Sequence, residues 1–410
     1  MNLKLLSGFL SIAQATKSLN FVSTGAKFNV TLTCQKPDSN CEGIRHTFEL
    51  VTGFIENALL LEGQINVKVE FLKSIGDTSG RQPQKLGEGH SFLTCKDYGE
   101  VSFIVPDAVL RQDGQKRATD GSPDIVMTIN TAVKFYFPSM FGSAQKSTQS
   151  SAIDIIAHEM LHGMGFISAI HKRPGDNHLS PYVKIKNDIE GGKNMLLKPS
   201  IFDKYVYNNN NETIAQLVSG MNPGKAEYAK DEPILPSSHF LDTMEKIETS
   251  ATMRDGLYCK LKTEKVYLET GTSTFVQGSS ISHLDFRYKI TNDMLMVKSS
   301  AMGHGVHERA NNTYWPTSPF GNRTLGILEA IGYKLNHQPS FEKSLSGYLD
   351  IFHKKITPIP PKSHTPNPAK PHTPNPAKSQ VLSCVNCAFS KASSQFYFEM
   401  AFFVLGLLNH

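Results

Sequence analysis

A single tryptophan, six cysteines and 19% charged residues are modest amounts for a chain of 410. Six cysteines are too few to hold so long a chain as a disulfide scaffold, so the fold has to rest on a hydrophobic core; 39% hydrophobic residues supply one. The length suits one large or two medium domains. Charge of one sign is also scarce. The net charge is only +5, and several lysines lie in a proline-rich tail, which argues against nucleic acid as a partner. The apolar stretch from Phe396 to Leu408, interrupted by Glu399, is too short to span a bilayer as a helix.

The N-terminus has the three parts of a secretory signal: Lys4, an apolar run from Leu5 to Ala13, and the small-x-small site Ala13-Gln14-Ala15, with Thr16 as the mature start. Export agrees with an even cysteine count and with N-x-Ser/Thr sequons at Asn29, Asn211, Asn311 and Asn322. Cys34 and Cys41 are close enough in sequence to close a small loop, which leaves Cys95 and Cys259 to staple distant parts. From Lys354 the sequence reads as a linker, with His-Thr-Pro-Asn-Pro-Ala-Lys at 364–370 and again at 372–378. The expected organisation is a signal peptide at 1–15, a folded unit at 16–350, a Pro/Lys-rich repeat linker at 354–380 and a tail at 381–410. That tail reads either as a glycosylphosphatidylinositol-anchor signal or as a frayed or docking end, so membrane contact is expected only through such an anchor.

Apolar periodicity predicts a strand over Phe28–Leu32, a helix over His46–Leu61 ended by Gly63, and strands over Ile65–Phe71, Val101–Val105 and Asp124–Asn130. Ala132–Phe137 reads as a further strand and Ser74–His90 as a loop. A helix is expected over Thr148–Met164, loop-rich stretches over Arg173–Asn211 and Ala251–Gln277 with a hairpin near Gly271, and a last helix over Leu325–Tyr333.

The chemistry concentrates in His158-Glu159-Met160-Leu161-His162-Gly163-Met164-Gly165-Phe166. Positions i and i+4 share one face of a helix, so His158 and His162 can hold one metal ion, with Glu159 placed to serve a water beside it. Catalytic zinc takes a third protein ligand. Ser168 stands where the extended His-x-x-Gly-x-x-His pattern would put it, and serine is not a useful ligand. Glu190, His171, His178, His304 and His307 are within the chain's reach, and so is His283, in Ser282-His283, followed by Asp293-Met294-Leu295-Met296.

This order of motifs resembles the leishmanolysin-like zinc metallopeptidases, a metzincin group that places a long segment between the second and third histidines. The resemblance covers roughly residues 120 to 335. It implies an α+β, zincin-like fold: a mixed twisted sheet with the active-site helix in an N-terminal subdomain to about 166, then a loop-rich C-terminal subdomain with a closing helix. It implies His158, His162 and His283 as ligands of one catalytic Zn²⁺, Glu159 as general base, and Met296 in the turn beneath the metal. The activity implied is hydrolysis of a polypeptide held along an edge strand, for which Ala132–Phe137 is one place, by a secreted or surface-anchored enzyme. The alternative is a non-catalytic cell-surface or wall glycoprotein that keeps the same fold; an intact Glu159 argues against it.

Overall fold

The computed structural model describes residues 16–339 except 24–25, 36–39, 73–85, 100, 115–121, 131, 138–144, 173–177, 188–192, 222–237, 263 and 299–318. It shows a mixed α/β protein. The expected signal peptide, linker and C-terminal tail lie outside the described residues.

The N-terminal part is built on alternation. Strands β1 (Thr16–Val22) and β2 (Phe28–Gln35) pair antiparallel. Helix α1 (Asn40–Ala58) crosses over to β3 (Ile65–Leu72), which runs parallel to β2. Strand β4 (Gly87–Ser91) comes next, then a two-stranded ribbon of β5 (Leu93–Tyr98) and β6 (Val101–Pro106), then β7 (Ile125–Asn130). The main sheet runs β1-β2-β3-β7-β4, with β7 parallel to β3 and β4 antiparallel to β7 at the edge.

Its register puts Val30 beside Val67, Val67 beside Ile125, and Val69 beside Met127. These residues, with Phe28, Leu32, Ile65, Phe71 and Ile129, form a continuous buried face. Each such side chain contributes about 1.5–3 kcal/mol by leaving water. From α1, Ile44, Phe48, Val51, Phe54 and Ile55 join that core at helical spacing. A disulfide between Cys34 and Cys41 closes the end of β2 onto the first turn of α1.

Helix α2 (Ala152–Gly163) is buried along its whole length. It is shorter than the expected Thr148–Met164. The Ser151 hydroxyl accepts from Asp154 N and caps the helix, while Ser150–Ser151 pairs in parallel with Phe135–Tyr136. That pairing is what remains of the strand expected over Ala132–Phe137, and it is not the edge of the main sheet.

The second part is less loop-rich than its sequence suggests. It contains a hairpin of Tyr182–Asn187 with Lys193–Lys198 and a small sheet in the order β8 (Val206–Asn208), β9 (Leu257–Lys260), β10 (Lys265–Tyr267). The hairpin turn therefore falls between Lys260 and Lys265 rather than at Gly271. Helix α3 (Ile214–Gly220) carries a full capping box from Thr213 and Gln216, and α4 is Ser238–Thr252. Helix α5 (Asn322–Ile331) closes the described chain; Gly332, at φ +128, ends it. After it Lys334–Leu335 pairs with Leu59–Leu60, which is why α1 stops at Ala58 and not at Gly63. Among the described residues no helix is long and apolar enough to cross a membrane.

Candidate metal centre

Helix α2 brings His158 and His162 onto one face, one turn apart, and the structure adds His283 to them from 121 positions beyond His162. Their Nε2 atoms lie 3.1 Å (His158 to His162), 3.0 Å (His158 to His283) and 3.4 Å (His162 to His283) apart. All three side chains are buried. Among the described residues they are the one group of His, Cys, Asp or Glu side chains able to share an ion.

The opposite ring nitrogens settle the tautomers. Nδ1 of His158 lies 2.6 Å from Leu295 O, that of His162 2.9 Å from Phe166 O, and that of His283 3.1 Å from Ser279 O. A carbonyl only accepts, so each Nδ1 carries the hydrogen and donates it. Each Nε2 is then a bare lone pair, and three lone pairs face one another with no proton between them. Such a contact is repulsive without a cation and favourable with one. The spacing fits as well: nitrogens about 2.0–2.1 Å from a tetrahedral ion stand roughly 3.3 Å apart. This buried cluster could hold a metal ion. Burial pushes the His158 imidazole down to about 4; burial, then the neighbouring His158, takes His162 to about 3; and burial holds His283 well below its usual range. The rings are therefore neutral at physiological pH, the form that ligates.

The local backbone explains the placement. A Cβ on Gly163 would come within 2.4 Å of Ile125 Cγ2, so the bare Cα lets the end of α2 lie on β7. Gly165, at φ +109, turns the chain back so that Phe166 N reaches Leu161 O and Phe166 O meets His162. Ser168, unable to ligate, instead donates its N–H to Ser282 Oγ at 3.2 Å, joining the loop after α2 to the residue before His283. That loop is held by Asp203, fully buried, whose Oδ2 accepts from Ala169 N at 3.0 Å and Ser200 N at 2.8 Å. Near His283, Ile281 sits at φ +73, where a β-branched side chain is strained by about 1–3 kcal/mol. Glu269 N donates to His283 O at 2.8 Å and steadies the turn.

Glu159 is buried and its Oε2 accepts from Gly89 N at 2.8 Å. Strand β4, expected to be loop, thus lies against α2. Gly87 and Gly89 make the approach possible: a Cβ on Gly89 would stand 2.2 Å from the Glu159 carbonyl oxygen, and one on Gly87 would be 3.2 Å from Ile155 Cγ2. Two glycines two residues apart are the sequence signal for this, since period two puts both on one strand face. A Gly89→Ala chain is expected to lose about 1–3 kcal/mol of stability, because the collision is with backbone. Urea denaturation checks it, and an unchanged midpoint would mean that β4 does not pack on α2 this closely.

A model of the SPBPB7E8-like family matches residues 8–234 and 199–349. The chain belongs to the SPBPB7E8-like family. In this SPBPB7E8-like chain the first matched stretch contains His158, Glu159 and His162, and the second contains His283 and Met296. No curated protein and no solved structure matches it. Membership in the SPBPB7E8-like family brings no activity with it, so the functional argument rests on the site's own chemistry.

Other expected residues fall elsewhere. His171 is partly exposed with Nδ1 near Ala169 O, and His178 packs edge-on against Phe240, so neither joins the cluster. His304, His307 and Glu190 lie outside the described residues. Met296 is fully buried in the turn Met294–Met296, whose Leu295 carbonyl holds His158. Cys95 and Cys259 do not bridge: Cys95 is partly exposed on β5, whereas Cys259 is fully buried on β9, where burial pushes its thiol far up. Of the sequons, Asn211 and Asn322 are exposed, Asn29 donates to Asn66 Oδ1 within the main sheet, and Asn311 lies outside the described residues.

Proposed function

We propose that this chain is a secreted or surface-anchored zinc endopeptidase in which His158, His162 and His283 hold the ion and Glu159 is the general base. The observation that carries the proposal is the convergence of three neutral, unprotonated Nε2 atoms in one buried spot, one residue along α2 from a buried carboxylate. An all-imidazole set suits zinc, and the order of motifs that resembles the leishmanolysin-like peptidases supports the same reading.

When bound, zinc supplies Lewis acidity, polarising a scissile carbonyl and making water acidic enough to attack near neutral pH. Glu159 takes the proton of the attacking water and hands it to the departing amine. The Gly89 N–H keeps the Glu159 carboxylate in one orientation for that transfer. His158, His162 and His283, neutral and each tied through Nδ1 to a carbonyl, neither compete for the proton nor rotate. Strand β4 is the sheet edge nearest Glu159, so an extended polypeptide adding beside it would bring a carbonyl towards the site. This replaces Ala132–Phe137 as the expected substrate edge.

Metal analysis of the purified chain, run beside a chelator-sensitive peptidase assay on casein and a peptide library, tests the proposal. One equivalent of zinc and cleavage abolished by 1,10-phenanthroline and restored by zinc are expected. One equivalent of zinc without cleavage of any library member would favour a non-catalytic zincin-like glycoprotein, and absence of metal would remove the proposal.

A further inference from the structure

The turn that holds His158 is itself held from three sides. Leu295 O receives the His158 hydrogen at 2.6 Å. Met296 O accepts from Leu284 N at 2.8 Å, which fastens the turn to the residue after His283. The third side is Asp293, 2% exposed, immediately before the turn. Its Oδ1 accepts from Thr324 N at 2.9 Å and its Oδ2 from Arg323 Nη1 at 3.3 Å, both in the first turn of α5. Helix α5 begins on Gly321, which offers no side-chain cap, so Asp293 supplies the missing cap from outside the helix. The fit is close: a Cβ on Gly321 would stand 2.3 Å from Asp293 Oδ1.

The far end of α5 returns to the metal helix. Tyr333, buried, donates its hydroxyl to Met164 O at 2.9 Å, at the C-terminal cap of α2. The hydrogen bonds therefore close a ring: α2 through His158 to Leu295, along the turn to Asp293, across to α5, and through Tyr333 back to α2. A local motif has no need of such a ring. A site split by 121 positions does, because nothing along the chain keeps its halves together.

We infer that Asp293 is a positioning residue for the metal centre, tying the turn that receives the His158 hydrogen to α5 so that the Leu295 carbonyl stays on the imidazole. The inference rests on the proposed metal site and adds to it the residue that sets the orientation of one ligand. Cutting the tie leaves Thr324 N and Arg323 without this acceptor and lets the turn move, so the cost appears in metal affinity as well as in stability.

The test uses the full chain as wild type, Asp293→Ala, Asp293→Asn and Tyr333→Phe. Zinc affinity is read by competition with a chromophoric chelator, ligand geometry by the visible spectrum of the cobalt(II) form, and folding by circular dichroism. Asp293→Ala is expected to weaken zinc binding by about 10-fold, the low end of the span for losing a direct outer partner of a metal ligand, because it loosens the Leu295 carbonyl without removing it, and to alter the cobalt spectrum. Asp293→Asn keeps an acceptor for Thr324 N and is expected to restore most of the loss. A merely structural role would lower the unfolding temperature while leaving the spectrum of the folded fraction unchanged. If Asp293→Ala does not fold, Tyr333→Phe, which removes one oxygen at the other end of α5, decides by whether affinity falls. Wild-type zinc binding with unchanged affinity and spectrum in the folded variant overturns the inference alone; no zinc binding by the wild type overturns the metal site with it.

Discussion

A Glu159→Gln chain is expected to bind zinc with wild-type stoichiometry and to lose about 10²–10⁴-fold in peptide hydrolysis, the span a positioned general base contributes. The substitution suits the site because the glutamine carbonyl oxygen can still accept the Gly89 N–H now received by Glu159 Oε2. Packing between β4 and α2 is therefore kept, as are His158 and His162 on their own carbonyls. What disappears is the ability to take a proton from water and release it to the leaving amine. Steady-state cleavage of a fluorogenic peptide, measured together with metal content, separates the effects: lost zinc would indicate a ligand or scaffold role for Glu159. Wild-type turnover in the glutamine variant would remove the general-base mechanism.

His283→Ala is expected to bring zinc content from one equivalent to near zero after dialysis. The variant leaves two imidazoles on α2 and an incomplete set for a catalytic ion. It also opens a void in a position that is fully buried, so a matched control is needed. His171→Ala provides one, since His171 is partly exposed and outside the cluster, and it is expected to keep its metal. Retention of one equivalent by His283→Ala would move the third ligand to Glu190, His304 or His307, all beyond the described residues.

Legibility followed locality. Alternation in Ile65–Phe71 and the continuous apolar middle of Asp124–Asn130 mark central strands, and the observed bounds, Ile65–Leu72 and Ile125–Asn130, differ from the expected ones by a residue. Strand β4 replaces part of an expected loop because Gly87 and Gly89 give no apolar signal; their value is an absent Cβ, visible only once α2 lies against them. The bridge expected between Cys95 and Cys259 failed for the same kind of reason. Counting cysteines says nothing about which strand faces which, whereas Cys34 and Cys41 pair only seven residues apart. Helices α3 and α4 fall almost wholly between the two stretches expected to be loop-rich, in residues given no expected element, although Thr213 and Gln216 carry a capping box.

The two-histidine face of α2 was determined by the sequence alone, because helix geometry puts i and i+4 together whatever surrounds them. Only the tertiary structure decided the rest of the site. It set His283 within 3.4 Å of the other two, gave His158 Nδ1 the distant Leu295 carbonyl, and brought the edge strand to Glu159. The contacts of His283 with the other two histidines and of His158 with Leu295 join residues more than a hundred positions apart, and that of Gly89 with Glu159 spans seventy, so no local preference encodes them. They exist because buried polar groups must find partners, and here the partners available were one another.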